Sequence, residues 1–209
     1  EISGYHLKNY LNVLDFSHMI FLQSDVDEYE KMFGKRLDDQ VKFGRLTSAN
    51  QIFNRYLERL SERKKMVDVI LKEEVDFSKE EKFNPVRNKL PWPKNNSEAH
   101  ELWRSRIKLE LLADRLTYSK DGKKPDQKKI DESVAKIQRR YERLLKTMKG
   151  YDRDDILETF LSSLTRAYDP HSDYMSPHEA ENFKINSIDM KLTGIGAVLQ
   201  ADDGYTKIV

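Results

Sequence analysis

Five histidines carry the obvious potential for metal or acid–base chemistry: His6, His18, His100, His171 and His178. No shared helical spacing groups them. The nearest constellation is Asp169, His171 and Asp173. Such a cluster can hold a metal. It also suits a turn, because Asp and Ser side chains bond their own backbone there. The turn is the reading adopted, so neither a metal site nor a cofactor is expected. There is no cysteine, which excludes disulfides, thiolate metal sites and a cysteine nucleophile. No glycine-rich phosphate loop opens a helix, so nucleotide binding has no support. The basic residues between 126 and 149 (Lys128, Lys129, Lys136, Arg139, Arg140, Arg143, Lys146) are interleaved with Asp131, Glu132 and Glu142. A solvated helix face explains them better than a nucleic-acid surface. The last chemical candidate is Gly194-Ile195-Gly196-Ala197-Val198-Leu199. Its glycines permit positive φ, so its amides can converge on an anion, and the following strand can accept a peptide as an added strand. A β-hairpin with a glycine bulge explains the same pattern equally well.

The elements that carry these residues are mostly helices. Of the 209 residues, 38% are apolar and 35% charged, against roughly 25% charged in an average domain. That balance favours long helices with one apolar stripe and a wide solvated face. The net charge of +1 gives no global field for nucleic acid or an anionic membrane. No apolar run approaches the ~20 residues of a membrane span, and no signal peptide is visible.

Apolar spacing predicts helices over 5–14, from Ser24 to Gly34, briefly up to Gly44, and from Thr47 or Ser48 to about Glu74. Pro85, Pro91 and Pro93 then forbid a continuous helix. Trp92 between two prolines reads as a stiff, buried anchor of an extended connector, with a peptide-recognition role as the alternative. Further helices are expected from Ser97 to Tyr118, from the Asp126 cap to Gly150 and from the Asp152 cap to Tyr168. The stripe Ile130, Val134, Ile137, Tyr141, Leu144 and Met148 is heptad-like. Asp169-Pro170 ends the helical run, and Ser176-Pro177 starts a short helix. From Ile185 the period changes: Ile188, Met190 and Leu192 alternate, and Asp202-Asp203-Gly204 signals a hairpin turn before Tyr205. The fold class is therefore mainly α with a short β segment at the end.

Several segments together resemble the tail-specific proteases among the carboxy-terminal processing peptidases. They are Tyr10 through His18, Phe21 through Val26, Pro91-Trp92-Pro93-Lys94-Asn95, Asp169 through Pro177, and Gly194 through Val209. The resemblance spans most of the chain. It implies a helical N-terminal domain over 1–184 and the first strands of a PDZ module over 185–209. It further implies a periplasmic serine endopeptidase with a Ser–Lys dyad, guided by its PDZ module to proteins with nonpolar C-terminal tails. The catalytic residues would lie outside these 209 residues, so no catalytic residue is assigned here. Gly194, Ile195, Gly196, Ala197, Val198 and Leu199 match the PDZ loop and strand that take the tail. Protein substrates, and an adaptor protein, are the partners implied; nucleic acid is not. The competing reading is a stand-alone helical adaptor or scaffold.

Overall fold

The computed structural model describes residues 1–73, 75–118, 126–185, 197, 199–202 and 205–208. They divide into two compact units, Glu1–Tyr174 and Met175–Val209.

The first unit is helical: α1 (Ile2–Leu14), α2 (Gln23–Phe33), α3 (Leu37–Lys42), α4 (Thr47–Ile70), α5 (Asn96–Tyr118), α6 (Gln127–Lys149) and α7 (Arg153–Tyr168). Its core draws one face from each long helix. Leu7, Tyr10 and Leu11 come from α1; Ile52, Tyr56 and Leu60 from α4; Trp103 and Ile107 from α5; Ile137 from α6; and Phe160 from α7. The α1–α7 contact is the most extensive helix pairing among the described residues.

Two caps differ from expectation. α2 begins at Gln23, and the Asp25 carboxylate turns back to the Leu22 amide at 2.9 Å, so Asp25 rather than Ser24 finishes that end. At α5 the cap is Asn95, whose Oδ1 accepts from the Glu98 amide at 2.9 Å. Pro93 stops constraining the chain two residues earlier, and Asn caps as well as Ser. Asp126 and Asp152 cap α6 and α7 as their sequence context indicated.

The stripe of α6 also departs from a strict heptad. Leu144 is exposed, and Leu145 packs against the core instead, with Val134, Tyr141 and Met148. The separations 134, 137, 141, 145 and 148 follow the 3.6-residue period of a straight helix, which drifts off a seven-residue repeat. Tyr168, the last residue of α7, is exposed.

The second unit contains α8 (Pro177–Phe183) and an antiparallel hairpin of β1 (Leu199–Asp202) and β2 (Tyr205–Ile208). Ser176 caps α8, accepting from the Glu179 amide, with Pro177 in its first turn. A wider helical turn continues through Lys184 and Ile185, so strand does not begin at Ile185. A local i→i+5 turn outcompetes alternation there. Ile188, Met190 and Leu192 lie outside the described residues. The register pairs Leu199 with Ile208 and Asp202 with Tyr205.

Candidate functional site

The densest polar construction in the helical unit forms where α1 stops. The Asp15 amide still bonds the Leu11 carbonyl, but its φ of −138° leaves the helix. The His18 amide then donates to the Asp15 carbonyl at 3.0 Å, and His18 itself adopts φ +52°. This reversal brings the next three amides over the Asp15 carboxylate. Met19 donates to Oδ1 at 3.0 Å; Ile20 and Phe21 donate to Oδ2 at 2.9 and 3.1 Å. The Trp92 indole adds a fourth donor to Oδ2 at 2.9 Å. Asp15 is only 2% exposed. Burial pushes its carboxyl up from the usual carboxylate range, while the four N–H donors pull the other way.

The opposite edges of the same peptides are also occupied. The Met19 carbonyl accepts from the Trp103 indole at 2.9 Å. The Ile20 carbonyl accepts from Arg63 Nε at 3.1 Å, and Arg63 Nη1 reaches Asn96 at 3.1 Å. Arg63 is fully buried on the apolar side of α4. The His18 ring stacks on Trp92 with centroids 3.6 Å apart, and its Nδ1 donates to the Leu90 carbonyl. Trp92 is half-buried rather than enclosed: its polar edge points inward and part of its ring faces solvent. The Gln23 amide ties to the Pro93 carbonyl at 2.9 Å. Residues 90–93 are thereby locked to the α1–α2 turn. Both oxygens of the buried Asp15 carboxylate accept hydrogen bonds, one at Oδ1 and three at Oδ2, so this centre fixes structure.

A second charged cluster sits at the start of α2. Arg59 Nε and Nη2 grip the two oxygens of Asp25 at 2.8 and 3.0 Å, with Arg55 3.8 Å away. Burial works to raise the Asp25 carboxyl. The Arg59 bonds, the Leu22 amide and Arg55 more than reverse it and hold it below its ordinary range.

Other candidates from the sequence are distributed differently. Asp169 accepts from the His171 amide and the Ser172 hydroxyl, and Asp173 pairs with Arg166 at 2.7 Å. That is turn geometry. Among the described residues, no group of three His, Asp or Glu side chains could hold a metal. On α6, Lys136 pairs with Asp114 and Arg140 with Glu110, so part of its basic face is spent on α5. His6 is buried between α1 and α7, with Nε2 donating to the Phe160 carbonyl at 2.9 Å. Gly194, Ile195, Gly196 and Val198 lie outside the described residues. Ala197 is half-buried, and Leu199 opens β1 with its side chain exposed.

Arg63 and the Asp15 centre were not picked out from the sequence, although a signal was present. Arg63 interrupts the apolar series Tyr56, Leu60 and Val67, and Asp15 lies between Leu14 and Phe16. A charge on an apolar stripe marks a paired, buried group.

The segments assembled here, 10–18, 21–26 and 91–95, are three of the five that carried the resemblance. A family model of the tail-specific protease N-terminal domain matches residues 1–178. The chain belongs to the tail-specific protease family. A tail-specific protease of Haemophilus influenzae is 34% identical over 199 residues, covering 95% of this chain and 27% of that protein. The chain thus spans about a quarter of the length of that relative. In this tail-specific protease N-terminal domain, the Asp15–Trp92 centre joins three of the resembling segments into one structural unit. No helix among the described residues is long and apolar enough to cross a membrane.

Proposed function

We propose that this chain is the N-terminal, non-catalytic part of a bacterial periplasmic serine endopeptidase that selects proteins by nonpolar C-terminal tails. The observation that carries the reading is the domain match over 1–178, joined to a relative of which this chain corresponds to only 27%. Residues 185–209 begin a PDZ module. Gly194, Ile195, Gly196 and Ala197 supply amides to the tail carboxylate, and Val198 and Leu199 offer a strand edge to the tail. The hairpin of β1 and β2 supports a β module following the helices. Hydrolysis belongs to a Ser–Lys dyad outside these residues. There a lysine kept neutral by desolvation takes the serine proton. In this division of labour the helical domain is a rigid body that the protease is built on.

The test compares the full-length protein containing this chain with the 209-residue chain alone. The substrate is an unfolded protein ending either in apolar residues or in Asp-Asp. The full-length protein should cleave the apolar-tailed version faster, and the chain alone should cleave neither. Cleavage by the chain, freed of host proteases, or indifference of the full-length protein to the tail, would overturn the proposal.

A further inference from the structure

We infer that the cleft between α1, the end of α2 and residues 88–92 binds an extended acidic polypeptide that also carries apolar side chains. The cleft holds about 930 Å³, within the roughly 300–1,000 Å³ usual for ligand clefts. Leu7, Leu11 and Val26 lie beneath it, each only 2% exposed, and the apolar surface it presents comes from the half-buried Leu90 and Trp92 and the exposed Pro91.

Charge identifies the occupant. Lys8 on α1, Lys35 after α2 and Lys89 on the connector converge on this cleft from three separate segments. All three are exposed, and among the described residues none has an ion-pair partner. Glu30 is the one acid on the rim. Lys31 and Lys94 also lack an ion pair among the described residues, so what sets these three lysines apart is their convergence on one cleft from separate segments. Three like charges gathered around a single acid leave a net positive rim, and an anionic partner relieves their mutual repulsion.

The lining also separates a polypeptide from other polyanions. Asn88, half-buried in the wall, makes no hydrogen bond among the described residues. Its amide offers one donor group and one acceptor, the complement of a peptide group. A phosphodiester backbone has no donor for the acceptor side and leaves that bond to its bases, whereas every peptide unit but proline brings an N–H beside its C=O. This binding involves no catalytic residue and is independent of the peptidase reading, because it is measured on the chain itself.

The experiment titrates the 209-residue chain into a short fluorescein-labelled peptide rich in Glu and Leu, read by anisotropy. Versions with Glu→Gln, Glu→Lys and Leu→Ser are run beside it, with a single-stranded thymidine oligonucleotide as a further probe. The Glu/Leu peptide should bind, and more weakly as salt rises. The combined Lys8→Gln, Lys35→Gln and Lys89→Gln variant should bind at least about tenfold less tightly, with an unchanged melting temperature. Lys42→Gln, which removes a surface lysine paired with Asp39, should change nothing. Should the triple variant fold poorly, Lys35→Glu alone should still weaken binding. Equal binding of the Gln or Ser peptide, tighter binding of the oligonucleotide, or undiminished binding by these variants would overturn the inference.

Discussion

The indole N–H of Trp92 donates to the Asp15 carboxylate at 2.9 Å, across 77 residues of sequence. This one bond closes the connector after α4 onto the turn after α1. It also explains why Trp92 needs only half burial, since its anchoring is by the polar edge.

Trp92→Phe should therefore keep the stack on His18 and lose the donor. A hydrogen bond to a charged group is worth about 1.5–3 kcal/mol, and a loss of that order is expected in urea unfolding. Asp15→Ala should cost more, at least about 3 kcal/mol, because the Met19, Ile20 and Phe21 amides all lose their acceptor. A smaller loss for Asp15→Ala than for Trp92→Phe would show that the carboxylate is not the centre of the turn.

Arg59→Ala should destabilise the domain by about 3 kcal/mol, the low end for breaking a buried pair, since Arg55 at 3.8 Å and the Leu22 amide still face the buried Asp25 carboxylate. Replacing both partners, Arg59→Met with Asp25→Leu, should recover much of that loss. The Leu22 amide, which Asp25 also serves, sets the part that stays lost. Chemical denaturation of the single and double variants checks both statements.

His6 gives a pH dependence whose sign follows from its surroundings. Burial lowers its pKa from 6.5, opposed by the Phe160 carbonyl and by Asp38. Nε2 carries the proton that Phe160 accepts, and Nδ1 is buried without a partner among the described residues. Protonation would place an undonated N–H between α1 and α7. The unfolded chain therefore binds the extra proton first. Stability is fully present above about pH 6.5 and falls as pH drops toward the folded-state value. His6→Gln should flatten this fall by up to about 1.4 kcal/mol per pH unit. Equal slopes for the two proteins in thermal melts below pH 6.5 would refute it.

Gly44 follows α3 with φ +65°, and an added Cβ would touch nothing within 4 Å. The cost of Gly44→Ala is therefore backbone strain alone, about 1–2 kcal/mol. Calorimetry should show that loss with no change in fold.

On the proposed reading that Gly196 belongs to the loop taking the tail carboxylate, Gly196→Val in the full-length protein should weaken capture of a nonpolar tail at least about tenfold, because a β-branched residue is poorly tolerated wherever such a loop needs positive φ. A fluorescent tail peptide measures it. Unchanged affinity in a folded variant would remove the loop from the site.

Much of the molecule was legible in the residues themselves. Helix periods, the Asp126, Asp152 and Ser176 caps and the stops at Gly34, Gly150 and Pro170 are local signals, because hydrogen bonds within a turn or two determine them. The family was legible too, since segments such as Tyr10–His18 and Pro91–Asn95 resemble it and the family model matches residues 1–178. What these segments do for one another was not. Asp15, Trp92, Arg63 and Trp103 meet only when α1, α4, α5 and the proline-bounded connector pack together, and no spacing rule links positions 77 residues apart. The same holds for Leu145 replacing Leu144, where the facing helices choose between neighbours that hydrophobicity cannot distinguish. Tertiary packing also converted acids and an arginine in apolar surroundings from apparent misfits into the polar centre of the domain. A buried charge is costly until partners from distant segments surround it, and only the folded chain supplies them.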